Sequence, residues 1–282
     1  MKKITRRSFM AAAGLTVAAL ALTACGGSSS TASSAAASSV ASSAAASSEA
    51  ASAAATELTT VEAGKLTMAT NAAFPPYEMT TDAGEFEGID IETAQAIADK
   101  LGLELQIDDM DFDAALLSVQ QGKADIVMAG VTVTDERKAV MDFSDSYATG
   151  IQSIIVPEGS DIASPDDLAG KKIGTQRGTT GYIYCSDDFG DENVVAYDNG
   201  LTAVQALNNG QVDAVVIDNA PAKEFVAANP GLVILETSYA EEDYAIGMAK
   251  NSPLEDAVNS ALEELQADGT LQAIVDKYIT AE

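Results

Sequence analysis

Apolar residues recur in two alternating patterns between residues 66 and 265. Short apolar runs predict β-strands, and stretches with apolar residues at helical spacing predict amphipathic helices between them. The predicted strands are Leu66–Thr70, Leu103–Ile107, Asp125–Met128, Ser153–Val156, Lys172–Thr175, Asn193–Ala196 and Asp213–Ile217. The predicted helices are Ile91–Leu101, Phe112–Gln120, Leu201–Leu207 and Pro253–Leu265. Strands that alternate with helices are typical of an α/β fold.

Two segments of the chain match each other in register. Residues 119–122 (VQQG) align with residues 207–210 (LNNG), and Ala124–Val127 aligns with Val212–Val215. Each copy predicts a helix that ends at a glycine, followed by an aspartate and a buried strand. β-α units resemble one another in general, but agreement of helix, cap, acid and strand favours two similarly built lobes.

Residues that follow these two strands are candidates for a binding site, because ligands of open α/β sheets bind beyond the strand carboxyl ends. The first strand leads to Gly130 and Thr132, and the second leads to Asp218. Thr134 predicts a helix N-cap, since acids follow it in the first turn. Arg137 lies one turn further and carries a planar fork that matches a carboxylate. Taken alone, this segment favours an ordinary β-α connection that carries a surface arginine.

Seven fragments, in this order, resemble the family-3 solute-binding proteins, which are polar amino-acid receptors of ABC importers. The fragments are FPPYE (74–78), GIDIE (88–92), AGVTVTDER (129–137), DFSDSY (142–147), QRGTTG (176–181), DAVVIDNAPA (213–222) and DYAIG (243–247). The resemblance extends from about Leu66 to Ile279. It implies a periplasmic-binding-protein-like α/β fold, in which two lobes joined by a two-crossing hinge close on the ligand like a Venus flytrap.

The resemblance also implies where one lobe gives way to the other. We expect the two chain crossings near Ser146–Gln152 and Ala240–Ala245. The first lobe would then consist of residues 61–148 and 245–282, and the second of residues 149–244. A ligand held between the lobes would contact residues of both.

The two charged groups of a free amino acid need anchors, since burying either charge unpaired is costly. By resemblance, Arg137 and Thr132 hold the α-carboxylate. Thr179 and Thr180 match the positions that close on the same carboxylate from the second lobe. Asp218 matches the acceptor of the α-ammonium group. The Gly-Thr-Thr-Gly stretch and Asp218 are also compatible with ordinary helix N-caps, and Asp218 could serve both roles.

The remaining matched positions bear on the ligand side chain. Phe74 and Phe112 match residues whose rings sandwich it, although aromatic residues are in general more often part of a core. Asn71 stands where receptors for basic amino acids often carry aspartate, and Gln176 and Ile217 add no charge. We therefore expect an uncharged polar ligand such as glutamine. Stacked rings would also suit the aliphatic stem of arginine, so arginine stays open.

Three further residues receive structural interpretations. Tyr77 and Glu78 are expected to pack or to brace the hinge. Arg177 is expected to face solvent. Together, the positions matched above give the predicted ligand-binding set: Asn71, Phe74, Phe112, Gly130, Thr132, Arg137, Gln176, Thr179, Thr180 and Asp218.

Composition excludes several other classes of function. The chain has 15 basic and 43 acidic residues, for a net charge of −28, which argues against nucleic acid and an anionic lipid surface as ligands. The absence of histidine excludes a histidine-based triad, metal site or acid–base catalyst. We expect no cofactor, no metal and a monomer.

Two alternatives to a receptor remain. An enzyme on the same fold, such as a dehydratase or lyase, would need Glu78 or Asp218 as a general acid with a raised pKa. An ammonium group beside Asp218 should instead lower the pKa of that carboxyl, so we do not expect an enzyme. The second alternative is a sensor that reports its ligand to a signalling protein.

Residues 1–24 resemble a lipoprotein signal peptide. Four basic residues precede the apolar segment Ala11–Thr23, which is too short to span a bilayer permanently. Residues 22–25 (LTAC) resemble a lipobox, so Cys25 is expected to be lipidated and to anchor the protein outside the cytoplasm. Gly26–Thr56, almost entirely Gly, Ser, Ala and Thr, predicts a tether of roughly 30 Å. Residues 5–10 (TRRSFM) also resemble a twin-arginine signal, and the export route and a glycosylated stalk stay open.

The other consequences of this N-terminus concern partners and redox chemistry. Lipidation of Cys25 would leave Cys185 unpaired, as a half-buried residue on a helix rather than a nucleophile. Because the sequence shows neither a Walker A pattern nor a transmembrane segment, we expect the ATPase and the permease of the importer to be separate chains.

Overall fold

Strands and helices alternate throughout the part of the chain that the structure describes, residues 58–279 of a computed structural model. These residues lie within one unit, Ala55–Glu282. The predictions for the signal peptide, for Cys25 and for the tether Gly26–Thr56 concern residues outside the described range. Within that range, no helix is both long enough and apolar enough to cross a membrane.

The elements are numbered in chain order. The strands are β1 (Lys65–Thr70), β2 (Ala73–Phe74), β3 (Glu78–Thr80), β4 (Phe86–Glu87), β5 (Glu104–Asp109), β6 (Ile126–Val127), β7 (Met141–Pro157), β8 (Ile173–Gln176), β9 (Val194–Tyr197), β10 (Ala214–Asp218), β11 (Leu232–Ile234) and β12 (Ala240–Ala249). The helices are α1 (Ile89–Leu101), α2 (Phe112–Gln120), α3 (Asp135–Lys138), α4 (Thr180–Phe189), α5 (Gly200–Asn208), α6 (Asn219–Ala228), α7 (Glu255–Ala267) and α8 (Thr270–Tyr278). The predicted strands and helices are confirmed, and Ser153–Val156 is the last part of the much longer strand β7.

Nine of the strands in residues 58–279 form one mixed sheet in the order β5-β1-β6-β12-β7-β10-β8-β9, with β11 paired to β7. On one side, β1 pairs in parallel with β5 and β6. On the other side, β8 pairs in parallel with β9 and β10. The antiparallel strands β7 and β12 lie between these two parallel groups. Strands β2, β3 and β4 form a separate small sheet.

The segments predicted as chain crossings lie in the two long central strands. Ser146–Gln152 is the middle of β7, and Ala240–Ala245 is the first part of β12. Ala240 pairs with Gln152, and the register shifts on either side of Ala245. The sequence did not predict strands here, because Ser146 and Gly150 interrupt the apolar pattern of the first segment and three consecutive acids interrupt that of the second.

The internal match has a structural counterpart in both halves of the sheet. The glycines that follow α2 and α5 adopt positive φ angles of 65° and 67°. Asp125 then accepts a hydrogen bond from the backbone N–H of Thr67 on β1, at 2.8 Å. Asp213 accepts one from the backbone N–H of Lys172, just before β8, also at 2.8 Å. In each half an aspartate therefore connects the start of one parallel strand to its neighbour.

Cys185 belongs to an apolar cluster between α4 and the sheet. It packs with Ile154, Val156 and Ile173 and has no exposed surface. The expectation of a half-buried residue is therefore wrong, because α4 lies directly over β8 and β10. Burial raises the pKa of the Cys185 thiol to about 12, so the group is a neutral thiol at neutral pH.

Candidate functional site

Four strands, two from each of the two parallel groups of the sheet, end at one cavity. β1 leads to Asn71, β6 to Gly130, β8 ends at Gln176 and β10 ends at Asp218, so both halves of the sheet contribute. The volume enclosed between these strand ends is about 30 Å³. All ten predicted ligand-binding residues line it, and it is also lined by Glu78, Ala129, Gln152, Val216, Ile217 and Tyr244.

Arg137 holds two backbone carbonyls that lie far apart in sequence. Its Nη1 donates to the carbonyl oxygen of Thr132 at 2.7 Å, and its Nη2 donates to that of Gly178 at 3.1 Å. The guanidinium carbon lies 5.4 Å from the centre of the Phe112 ring. Thr134 is the N-cap of α3 as predicted, since its hydroxyl accepts from the Arg137 backbone N–H at 3.2 Å. The guanidinium is buried, and burial lowers its pKa.

The hydroxyl groups of Thr132 and Thr180 meet at the centre of the cavity wall, 3.4 Å apart. Both donate to the same oxygen, Oε2 of Glu242, at 3.1 and 2.9 Å. The Gln152 side-chain amide donates to that oxygen as well, at 3.0 Å. Glu242 was not predicted for the site. It lies two residues before Tyr244 on β12, so the two-residue period of the strand places both side chains on one face, but the acidic start of β12 did not predict a strand.

Asp218 is held by three donors. Its Oδ2 accepts from the Ile151 backbone N–H at 2.8 Å and from the Tyr244 hydroxyl at 2.7 Å. Its Oδ1 accepts from the Ala220 backbone N–H at 3.2 Å, so Asp218 is also the N-cap of α6. Gly150 makes room for this arrangement, because a Cβ there would lie 2.5 Å from the Tyr244 ring.

The pKa of Asp218 departs from the expectation of a lowered value. Burial raises the pKa to about 6, although its three hydrogen bonds act in the opposite direction. The expected lowering depends on an ammonium group beside the carboxylate. With protein groups alone, desolvation is the larger effect.

Asn71 and Gln176 are joined by their side-chain amides. Gln176 Nε2 donates to Asn71 Oδ1 at 2.8 Å, while Asn71 Nδ2 donates to the Met110 carbonyl at 2.9 Å. Thr179, next in the same loop, donates its hydroxyl to the Gln176 carbonyl and accepts from the Tyr182 backbone N–H. Thr179 is therefore the N-cap of α4, the ordinary role that its sequence also allowed.

Glu78 is an acidic residue that the sequence assigned to bracing rather than to the cavity. It is fully buried, and neither carboxyl oxygen has a hydrogen bond of normal geometry within residues 58–279. Burial and the neighbouring Asp90 raise the pKa of Glu78 well above its usual value. Asp90 accepts from the Gly130 backbone N–H and from the Tyr147 hydroxyl, at 2.9 and 2.8 Å. The Gly130 N–H therefore already has a hydrogen-bond acceptor within the protein, the Asp90 carboxylate.

Two of the structural interpretations are confirmed. Tyr77 is buried and packs edge-on against Tyr244, with 5.4 Å between ring centres. The Arg177 side chain is 54% exposed and lies 3.9 Å from Asp198.

The fold and this cleft are those of a two-lobed solute-binding protein. Residues 66–281 match the family described as bacterial extracellular solute-binding proteins, family 3. The chain therefore belongs to that family. This confirms the predicted periplasmic-binding-protein-like α/β fold.

Named relatives bind several amino acids. The L-cystine-binding protein TcyJ of Escherichia coli (strain K12) is 34% identical over 226 residues, covering 78% of this chain and 85% of the relative. The arginine-binding extracellular protein ArtP of Bacillus subtilis (strain 168) is 33% identical over 228 residues, covering 77% and 87%.

Solved structures are similar over a comparable share of the chain. An ancestral arginine-binding protein bound to glutamine is 42% identical, with a TM-score of 0.74 over 78% of this chain and all of that one. An ancestral arginine-binding protein bound to arginine is 43% identical, with a TM-score of 0.73 over 77% of this chain and 98% of that one. One architecture thus accommodates ligands with neutral and with cationic side chains.

Proposed function

We propose that this chain binds a free polar amino acid between its two lobes, outside the cytoplasm, and delivers it to the permease of an ABC importer. The observation that carries the proposal is the meeting of the ten predicted residues at one cavity, with Arg137 and Asp218 both buried in its wall. A cation and an acid in one cavity match the carboxylate and the ammonium group of an amino acid.

We assign residues 61–148 and 245–282 to one lobe and residues 149–244 to the other. The order of the strands supports this division, since β7 and β12 lie between two groups of parallel strands. In this arrangement Thr132 and Arg137 belong to the first lobe, and Thr180 belongs to the second.

The α-ammonium group is assigned to Asp218. Its carboxylate is buried in the cavity wall, and a cation there would offset the desolvation that raises its pKa. The α-carboxylate is assigned to Arg137, Thr132, Thr179 and Thr180. In the closed cleft a ligand would take over donors that now bond to the protein itself.

A glutamine-like ligand agrees best with the neutral groups that face the side-chain end of the cavity. Asn71 and Gln176 are both amides, and an amide ligand could exchange hydrogen bonds with them. Phe74 and Phe112 line the same region and would pack on the aliphatic part of the ligand.

Arginine is the second candidate, and one observation favours it. Glu78 lines the cavity with its carboxyl buried and without hydrogen bonds of normal geometry among the described residues. A guanidinium group could pair with Glu78 after that carboxyl loses its proton.

The raised pKa values of Glu78 and Asp218 would also suit a general acid. The family match nevertheless favours binding over catalysis, because that family consists of solute-binding proteins. The buried acids are therefore assigned to ligand recognition. A ligand sensor has no structural feature in its favour among residues 58–279.

Cys25 is assigned as the lipid anchor on the sequence alone. Changing Cys25 to Ser should move the protein from the membrane fraction into the soluble extracytoplasmic fraction with ligand binding unchanged. A Cys25→Ser protein that stays in the membrane fraction with its signal peptide attached would contradict this assignment.

Mass spectrometry of the ligand that co-purifies with the protein tests the proposed function. Native spectra should show a bound free amino acid, with glutamine expected before arginine. A protein that carries no amino acid, and that binds none in calorimetric titrations against a full amino-acid panel, would refute the receptor assignment.

A further inference from the structure

Glu242 places a carboxylate of the protein where a ligand carboxylate is expected to bind. Its side chain is buried, and one of its oxygens accepts from Thr132, Thr180 and Gln152. Two of these donors are the threonines assigned to the ligand. We propose that Glu242 is an internal competitor: it occupies the carboxylate site in the ligand-free protein, holds the lobes together there, and is displaced by the α-carboxylate of the ligand.

Glu242 and the α-carboxylate of a ligand cannot accept hydrogen bonds from the same two threonine hydroxyls at the same time. A threonine hydroxyl has a single hydrogen, so it can donate to only one acceptor at a time. Both hydroxyl hydrogens are directed at Glu242 Oε2, at 2.9 and 3.1 Å. A ligand carboxylate can receive these hydrogens only after Glu242 releases them.

The same oxygen joins three separate parts of the fold. Thr132 follows β6, Thr180 begins α4, and Gln152 lies on the central strand β7. Glu242 itself lies on the neighbouring strand β12. A single carboxylate therefore holds groups from both halves of the sheet, and it needs no ligand to do so.

Arg137 supports the same conclusion. Two of its N–H groups already donate to the carbonyls of Thr132 and Gly178, one on each side of the cleft. Burial lowers the pKa of Arg137, whereas the negative charge of Glu242 raises it. The Glu242 carboxylate therefore lies close enough to the guanidinium to interact with it electrostatically. The site thus already holds a cation, hydroxyl donors and an anion.

This inference rests on the proposed function, because it assumes that the ligand carries a carboxylate. Its consequence is that the closed, ligand-free state is populated and does not accept ligand. The observed affinity is then lower than the intrinsic affinity, since part of the protein must first release Glu242.

Glu242→Gln tests the inference because it keeps the size of the side chain and removes its charge. A charge-assisted hydrogen bond is about twice as strong as a neutral one, so the amide should compete less well. Calorimetry with glutamine and with arginine should show about tenfold tighter binding to the variant for whichever amino acid binds the wild type. Weaker or unchanged binding would overturn the competitor role.

Glu241→Gln is the matched control. Glu241 is the same residue type on the same strand, and it is exposed to solvent. Its substitution changes the net charge by the same amount and should leave affinity for glutamine and arginine unchanged. An equal gain in affinity in both variants would attribute the effect to net charge and would overturn the inference.

The lobe-holding role has its own readout, which needs only ligand-free protein. Nitroxide labels at Leu117→Cys and Leu201→Cys, on exposed positions of α2 and α5, report the distance between the two halves. Cys25 is replaced by Ser in the full chain, and Cys185 is buried and unreactive.

In ligand-free protein with Glu242 intact, pulsed electron spin resonance should give a short distance between the labels at positions 117 and 201, as expected for the closed state. Addition of Glu242→Gln should shift the ligand-free protein to longer distances. A wild-type background that is already as open as the variant would overturn the inference, whether or not the variant folds well.

The two hypotheses can fail separately. If no amino acid binds the wild-type protein, the proposed function fails. If an amino acid binds and Glu242→Gln neither tightens binding nor opens the ligand-free protein, only the competitor role fails.

Discussion

Asn71 and Gln176 hydrogen-bond to each other through their side chains, at 2.8 Å, from the ends of strands in opposite halves of the sheet. Both residues are buried and both line the ligand cavity. Under the proposed function, selectivity for the ligand side chain and closure of the cleft depend on the same pair of amides.

Asn71→Asp should raise the affinity for arginine relative to glutamine by about tenfold, because it adds a negative charge beside the ligand side chain. The new carboxylate can still accept from Gln176, but it loses the bond to Met110. Competitive calorimetry with both amino acids measures the ratio. Asn209→Asp, at an exposed position outside the cavity, is the control. An unchanged ratio, or a wild type that already prefers arginine strongly, would contradict the argument for a neutral ligand.

Arg137→Ala should abolish amino-acid binding while the protein stays folded. The loss of two hydrogen bonds, one buried and one partly buried, is expected to lower the free energy of unfolding by about 1–3 kcal/mol, which thermal melting should show. Arg137→Lys should also bind poorly, because one ammonium group cannot replace the planar fork. Arg177→Ala, at an exposed position, should bind normally. Near-native affinity in the Arg137→Ala protein would remove this residue from the site.

Ligand affinity should fall as the pH is lowered through about 6. The pKa of Asp218 in the ligand-free cleft is about 6, and the ammonium group of the ligand pairs only with the carboxylate form. Below that pH a proton must leave before the ligand binds, so affinity should fall about tenfold per pH unit if Asp218 alone titrates. Calorimetry between pH 7.5 and 5 tests this.

Asp218→Asn separates the pH effect of Asp218 from that of other acids. Asp90 also has a pKa of about 6, but it lies behind Gly130 and bonds to Tyr147. The Asp218→Asn protein should bind weakly and lose most of the pH dependence. A wild type whose affinity is constant down to pH 5 would show that Asp218 does not hold the ammonium group.

The two aspartates of the internal match should differ in their effect on stability. Asp125 is buried and accepts from the backbone N–H groups of Val61 and Thr67. Asp125→Ala leaves two donors without partners and should lower the free energy of unfolding by about 2–3 kcal/mol. Asp213 is exposed and accepts one such bond, so Asp213→Ala should have less than half that effect. Urea denaturation measures both, and equal losses would contradict this assignment.

Elements with a continuous local pattern could be predicted from the sequence alone. Helix α2 is found at its predicted boundaries, because Phe112, Ala115, Leu116 and Val119 form one buried face at helical spacing. Strand β12 was missed, since it begins with three consecutive acids after Ala240 and resembles a solvent-exposed loop. Its strand conformation depends on pairing with β7, nearly one hundred residues earlier in the chain.

Residues of the candidate site could likewise be predicted only where the local sequence carries a signal. Residues next to strand ends or helix starts, such as Asp218 and Thr180, could be found because their local sequence carries a structural signal. Glu78 and Glu242 could not, since an acidic residue in a polar segment normally indicates solvent exposure. Buried Glu242 contacts Thr132 and Thr180, which lie 110 and 62 residues away in the chain.

The central claim is that one cleft holds both charged groups of a free amino acid. Calorimetric titration of the purified protein with glutamine, with the amide of glutamine's α-carboxyl group, and with the corresponding α-keto acid tests it most directly. Glutamine should bind, and each analogue should bind at least about a hundredfold more weakly, because each leaves one buried charge of the protein unpaired. Equal binding of glutamine and either analogue would contradict the account.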